Sequence, residues 1–302
     1  MNINILGANG FIGKQLVSYL SKVYSVNPVS LRDIDWRKKL CDSDVWINLV
    51  GKAHDHKGNA SEVDYYYSNF ELVKEVFYNF IKSDAKILIH ISSLAALEEL
   101  ESSKPLEEDD ISKPQSFYGK SKRKAEEWLL MQSLPSEKRV FIIRPPMVHG
   151  PGDKGNLRML YKMISKEIPY PLASFKNERS FISIDNFNFY IKRIISNNEM
   201  LESGIYHIAD NESVSTNEIV EIIKSTGNLK TVNLKIPPFI IKSVARIGDF
   251  FPLPLNTLKL KKLTSSLLLS NKKIKDALKI EDLPLTALEG LKKTISSFKN
   301  NS

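Results

Sequence analysis

The stretch "INILGANGFIGKQLVSYLSKV", residues 3–23, decides how the rest of the chain is read. Ile3, Ile5 and Leu6 form the apolar pattern of a short buried strand. Gly7, Gly10 and Gly13 follow at once, and Phe11, Ile12, Leu16, Val17 and Leu20 then recur at helical spacing. A strand, a glycine turn and a helix in this order suit a phosphate group. Gly7 permits the tight turn, Gly10 lets backbone N–H groups approach a pyrophosphate, and Gly13 lets the helix sit close to the strand. The helix N-terminus supplies unpaired donors and the positive end of a dipole. A purely structural turn is the alternative; the placement between strand and amphipathic helix favours nucleotide binding.

The bulk properties narrow the class. The chain has 302 residues, 42% hydrophobic and 26% charged, enough for one large domain or one domain with a smaller companion. A single cysteine, Cys41, leaves no disulfide framework and no cysteine-built zinc site, which suits a reducing cytoplasm. The opening "MNINILGANG" has no basic region followed by a long apolar run, so no signal peptide is expected. No apolar run reaches the roughly 18 residues of a membrane span. A cytoplasmic location follows as the expectation.

The formal net charge is +8, with part of the excess in "LKLKKL" and "SNKKIKDALK" near the C-terminal end. No aromatic residues are interleaved there in the manner of a nucleic-acid platform, so a solvated basic surface is expected and no nucleic-acid partner. The segment "PPFIIKSVARIGDFFPLPL", residues 237–255, mixes apolar residues with a few basic ones. That composition suits packing between domains or contact with a membrane, and domain packing is the expectation.

A second stretch, "SFYGKSKRKAEEWL" (116–129), runs from a turn-like segment into a helix. Tyr118 and Lys122 stand four residues apart, on one helix face. Alone, the run Lys120, Lys122, Arg123 and Lys124 reads as a solvated basic face. With the glycine loop upstream the pair acquires a chemical reading. A phenol with pKa near 10 is a poor base at neutral pH unless a nearby cation stabilises the phenolate.

The G-x-x-G-x-x-G spacing together with "SFYGKSK" resembles the extended branch of the short-chain dehydrogenase/reductase superfamily. "DVWINLVGKAH" (44–54) is similar to that branch's fourth strand and the loop over the cofactor. "ILIHISSLAA" (87–96) resembles the strand ending in the catalytic serine, and "RPPMVHGPGDKGNL" (144–157) the segment near the nicotinamide. "RSFISIDNF" (179–187) and "GIYHIADNESVSTNEIV" (204–220) resemble substrate-region segments. The resemblance implies a doubly wound, mainly parallel α/β sheet of Rossmann type with a smaller C-terminal substrate-binding region. The expected division is 1–150 for the cofactor domain, with 186–203 returning to it, and 151–185 plus 204–302 for the substrate region.

The same resemblance assigns roles. Tyr118 is the general acid/base, Lys122 supports it and holds the nicotinamide ribose, and a strand-end serine binds the reacting oxygen. That serine is Ser92 or Ser93, with Ser93 preferred because the family's residue is the last of its serine run. Cofactor contacts fall on Gly7, Asn9, Gly10, Phe11, Ile12 and Gly13. Others fall on Arg32, Asp33 and Ile34, on Leu49, Val50, Gly51 and Lys52, and on Pro145, Met147 and Val148. Arg179 is the residue expected at the substrate diphosphate, and Asn156, opening a helix, is expected at a phosphate or the base. Ser93 also contacts the substrate.

Departures from the family pattern refine the chemistry. Leu94, Ala95 and Ala96 follow Ser93 where 4,6-dehydratases carry an acidic pair, and Glu98 and Glu99 come late, so dehydration is disfavoured. "AALEE" replaces the usual "VYG". Only residues 14–32 separate Gly13 from "RDIDW", so a strand–helix–strand unit looks shortened, as in reductases that resemble dTDP-4-dehydrorhamnose reductase. No acid stands at the usual ribose-gripping position, and Arg32 nearby leans the choice between NAD and NADP towards NADP.

The combination most resembles a bacterial group of UDP-sugar 4-epimerases and 4-ketoreductases of polysaccharide biosynthesis, which makes a UDP-sugar the expected substrate. A non-catalytic nucleotide sensor of the same fold is the alternative. His54 and His56 do not make a metal site at their spacing. His90 reads as a core histidine, and His149 is expected to line the site. The spacing of Trp128, Leu129 and Leu130 suits either a homodimer interface or packing within the chain.

Overall fold

Six parallel strands form one sheet in the computed structural model, which describes residues 1–53, 60–251 and 255–299. They are β1 (Asn2–Leu6), β2 (Ser25–Val29), β3 (Val45–Asn48), β4 (Ile87–Ile91), β5 (Arg139–Arg144) and, after β6 (Met147–His149) and β7 (Phe181–Ser183), β8 (Gly204–His207). The order across the sheet is β2-β1-β3-β4-β5-β8. The helices are α1 (Phe11–Leu20), α2 (Glu62–Tyr66), α3 (Leu72–Lys82), α4 (Phe117–Leu130), α5 (Asn156–Ser165), α6 (Ile184–Ser196), α7 (Thr216–Gly227), α8 (Pro238–Ile247), α9 (Thr257–Thr264), α10 (Lys272–Leu278) and α11 (Ala287–Lys299). A π-helical turn, Tyr67–Glu71, joins α2 to α3.

Strand side chains alternate between the two faces, and both faces are covered, as parallel sheets require. Ile3, Ile5, Val45, Ile47, Ile87, Ile89, Phe141 and Ile143 pack with Leu16 and Leu20 of α1, Phe187 and Ile191 of α6, and Ile274 of α10. Trp46, Leu88, Val140 and Ile142 face the other way, onto Val76, Phe77 and Phe80 of α3 and Ala125 and Leu129 of α4. Leu129 is therefore core, Trp128 packs edge-on against Phe77 at 5.2 Å between ring centroids, and Leu130 is exposed.

The shortened unit is visible in the strand order. Only β2 lies beyond β1, and the chain returns to β3 through a 3₁₀ turn, Trp36–Lys39, with no α-helix between them. Trp36 is buried there. The stretch that resembles the family's fourth strand is thus third in the chain, and it pairs with β1 on the side away from β2.

A second core gathers Leu157, Tyr161 and Ile164 of α5, Ile219 and Ile223 of α7, Ile241 of α8, Leu260 of α9, and Leu291, Ile295 and Phe298 of α11. The two cores share the chain differently from the expected division. β8 lies within 204–302 yet closes the main sheet against β5. Ile274, Leu278 and Ile280 also join the main core. Conversely β6, within 1–150, pairs with β7, and Met147 packs on the second core. Parallel pairing between β5 and β8 and the docking of α10 are long-range events that local composition does not encode. Within 237–255, α8 departs from the expected packing: only Ile241 and Ala245 are buried along it.

Candidate active site

The glycine turn joins β1 to α1. Gly7 has φ +85°, a conformation that L side chains rarely adopt. A Cβ on Gly13 would stand 2.5 Å from the Gly7 carbonyl oxygen, so α1 rests directly on the turn. Gly10 is the N-cap of α1 and no side chain caps the helix there. A Cβ on Gly10 would meet only the Gly7 carbonyl oxygen, at 3.4 Å. Open approach, positive φ and helix donors without a side-chain cap fit a dinucleotide pyrophosphate. Asn9 is exposed in the turn, and Phe11 and Ile12 are half-buried at the start of α1.

The chemistry-bearing side chains meet at the carboxyl end of β4. Ser93 follows the strand in extended backbone and its Oγ accepts from the Ala95 N–H at 3.2 Å. The Leu94 N–H donates to the Pro145 carbonyl at 2.8 Å, which ties this turn to the end of β5. Ser116 caps α4 and puts Tyr118 in its first turn. Burial pushes the Tyr118 phenol above its ordinary value; a hydrogen bond with the Ser93 side chain works in the opposite direction, and the Glu99 carboxylate adds to the rise. Lys122, one turn on, is buried, and its Nζ donates to the Ile91 carbonyl at 2.9 Å. Burial brings Lys122 down to about 8, opposed by Glu126. The structure therefore brings Ser93, Tyr118 and Lys122 together from two elements far apart in sequence.

Ser92 has a different place. Its Oγ donates to Glu126, which also receives Arg144 through Nε at 2.9 Å and Nη2 at 2.7 Å. Both members of this ion pair are completely buried. Arg144 further donates to the Glu108 carbonyl at 3.3 Å and lies 3.3 Å from His207. Ser92 thus belongs to a buried polar network beneath the site.

The loop after β3 carries Leu49, Val50, Gly51 and Lys52. The Leu49 N–H donates to the Leu6 carbonyl at 2.9 Å, which holds the loop beside the glycine turn. A Cβ on Gly51 would come within 3.0 Å of Lys122 Nζ. After β2, Arg32 is exposed, Ile34 is 95% exposed, and Asp33 is engaged with Lys39 at 2.7 Å. Pro145 is buried, and Met147 and Val148 run along β6. Asn156 is the exposed first residue of α5. Arg179 is half-buried and its Nη1 donates to the carbonyls of Lys262 and Ser265, both at 3.1 Å, at the end of α9.

The histidines divide. His90 is fully buried beside Asn48 at 3.2 Å, and burial holds its pKa well below the ordinary value. His149 does not line the site, contrary to expectation: it is fully buried, with Nδ1 2.9 Å from the Thr294 hydroxyl of α11. His54 and His56 lie outside the described residues.

A family profile described as "NAD dependent epimerase/dehydratase family" matches residues 3–209. The chain belongs to that family. Among curated relatives, a UDP-glucose 4-epimerase of Vibrio cholerae is 27% identical over 98% of this chain and 95% of its own. An N-acetyl-alpha-D-glucosaminyl-diphospho-ditrans,octacis-undecaprenol 4-epimerase of Escherichia coli O157:H7 is 24% identical over 78% of this chain and 75% of its own. Among solved structures, UDP-glucuronic acid 4-epimerase from Bacillus cereus in complex with UDP-glucuronic acid and NAD superposes with a TM-score of 0.80. It is 18% identical and both chains are covered completely, so it speaks for the fold.

Two site-supporting residues of this epimerase/dehydratase family member escape a reading of its sequence. Asn69 sits in the π-helical turn, where its Oδ1 accepts from the Lys52 N–H at 2.7 Å and its Nδ2 donates to the Lys52 carbonyl at 3.2 Å and the Ser121 hydroxyl at 3.0 Å. It fastens the loop after β3 to α4. The one signal was an asparagine inside an apolar helical pattern, a poor helix former that needs a reason to be there. Glu99 is the other. Its carboxylate accepts from the Ser116 hydroxyl and N–H and so holds the capped end of α4 from outside.

Proposed function

We propose that this protein is an NAD(P)-dependent nucleotide-sugar enzyme acting at C4 of a UDP-sugar, as a 4-epimerase. The observation that carries the proposal is the meeting of Tyr118, Ser93 and Lys122 at the end of β4, beside the uncapped helix of the glycine turn. Curated relatives named as 4-epimerases support it.

In this reading Ser93 Oγ donates to the reacting C4 oxygen and fixes it against the Tyr118 hydroxyl. Tyr118 takes the proton of the C4 hydroxyl and returns it after the ketone has turned. Lys122 supplies positive charge one turn below and reaches the ribose of the dinucleotide. The bound nicotinamide supplies the acceptor and donor of hydride. The residues holding it are Gly7, Gly10, Gly13, the loop Leu49–Lys52 and the run Pro145–Val148. Arg32, exposed after β2, is available to a 2′-phosphate and favours NADP, while an epimerase that retains its cofactor needs only NAD. Arg179 and Asn156 are assigned to the substrate diphosphate, and the biological setting is polysaccharide biosynthesis. A 4-ketoreductase uses the same residues in one direction. Dehydration is disfavoured because Leu94, Ala95 and Ala96 follow Ser93 and Glu99 is engaged with Ser116.

A second substrate class, a sugar diphosphate carried on a polyprenol, is favoured by the exposed apolar face of α8 and by the name of the E. coli relative. The test denatures the purified protein, identifies the released dinucleotide by mass, and follows UDP-glucose and UDP-N-acetylglucosamine by NMR. Co-purified NAD and appearance of the C4 epimer are expected. A protein that binds neither NAD nor NADPH overturns the proposal, and turnover only of a 4-keto sugar with NADPH replaces epimerase by reductase.

A further inference from the structure

Helix α8 leaves most of its surface to solvent. Phe239 is 70% exposed, Ile240 42%, Val244 43% and Ile247 53%. The chain continues the apolar surface past the helix, with Phe250 86% and Phe251 63% exposed. Both sit within one turn of Ile247, since their N–H groups donate to its carbonyl at 3.1 Å. Six large apolar side chains gathered on one short exposed element are not the scattered exposure that any surface shows.

Charge accompanies the apolar face. Lys242 and Arg246 are exposed on α8, one turn apart, and no carboxylate among the described residues pairs with either. The acid nearest in sequence, Asp249, is committed elsewhere: its carboxylate accepts from the N–H at 2.9 Å and from the hydroxyl of Thr257, the first residue of α9. Facing inward are only Ile241 and Ala245, which anchor the helix to the second core.

We propose that α8 and the turn after it dock this protein on an anionic phospholipid surface. The apolar residues enter the boundary between headgroups and acyl chains, and Lys242 and Arg246 snorkel to the phosphates. No helix among the described residues is long and apolar enough to cross a membrane, so the contact lies in the plane of the interface. A second copy of the chain fits the surface less well, because a twofold pairing of α8 with itself would bring the unpaired cations of both helices towards each other. The docking concerns a face without any residue assigned to proton or hydride transfer, so it stands or falls separately from the choice of sugar; only the polyprenol-carried substrate class draws on the same face.

The experiment is co-sedimentation of the full chain with vesicles of phosphatidylethanolamine and phosphatidylglycerol, and with vesicles of phosphatidylcholine alone. Wild-type protein is expected in the pellet with the anionic vesicles, in an amount that falls with added salt. Lys242→Gln with Arg246→Gln should weaken binding roughly thirtyfold. Phe239→Ser with Phe250→Ser and Phe251→Ser should abolish it. Both variants should keep the wild-type melting temperature and UDP-sugar turnover in solution. Wild-type protein that stays in the supernatant overturns the proposal, as does equal binding by the variants. A dimer in solution that the phenylalanine variant splits would give the face to a second copy and also overturn it.

Discussion

Lys122 donates from Nζ to the carbonyl oxygen of Ile91, 2.9 Å away, and so ties the helix that carries Tyr118 to the last residue of the strand that leads to Ser93. The lysine is thus part of the positioning of the site as well as of its charge. Lys122→Met and Tyr118→Phe should each lower kcat by about 10²–10⁴-fold. Tyr118→Phe should leave the melting temperature unchanged, while Lys122→Met should lower it, because the Ile91 carbonyl loses its charged donor. Steady-state kinetics paired with thermal unfolding check both.

Two adjacent serines should separate cleanly. Ser93→Ala should cost activity with little loss of stability. Ser92→Ala removes a donor to the buried Glu126 and should cost about 1.5–3 kcal/mol in urea unfolding. A Ser93→Ala enzyme with wild-type kcat would move the catalytic serine away from this position.

Arg144 and Glu126 are bidentate and without solvent contact. Removing one partner strands the other: Arg144→Met should destabilise by about 3–5 kcal/mol, and Arg144→Met with Glu126→Leu should recover most of that loss. Denaturant midpoints of the two proteins decide it.

Glu99 raises the Tyr118 pKa and holds the Ser116 cap. Glu99→Gln keeps an acceptor for Ser116 and removes the charge. The limb of the pH–rate profile that reports Tyr118 should move to lower pH, with the fold intact. An unmoved profile would show that Glu99 acts on the helix end alone.

Stability should depend on pH through buried groups behind the site. Burial depresses His207 to about 3 and His149 to about 4. Their stabilisation is complete above the unfolded histidine value near 6.5 and is lost as pH falls towards the folded values. Asp210 runs the other way. Burial raises it to about 7, so its contribution is complete below the unfolded value near 4 and is lost as pH rises through about 7. His207→Gln should flatten the acid side of a melting-temperature profile, and Asp210→Asn the side near neutrality.

The nucleotide half of the fold was legible because its signals are local. Alternating isoleucines, three glycines and an amphipathic helix specify β1, the turn and α1 without help from the rest of the chain. The shortened unit beside β2 could likewise be read, from the short stretch after Gly13 set against the family pattern. Ser93, Tyr118 and Lys122 were readable by spacing and resemblance. What escaped depends on distant partners. β8 finds β5 across the intervening helices, α10 turns back to the main core, and His149 is sealed by Thr294. Composition also misled along α8 and the turn after it, where apolar side chains read as packing and the fold leaves Phe239, Ile240, Val244, Ile247, Phe250 and Phe251 outside.

The return of α10 to the main sheet has a consequence for how the protein is made. Ile274, Leu278 and Ile280 complete the same core that Ile3 and Ile5 begin. β1 therefore waits for residues translated much later than itself before its layer is sealed. A nascent chain stopped before α10 would carry every residue of the glycine turn and of the tyrosine helix, yet one flank of its sheet would lie open to chaperones and proteases.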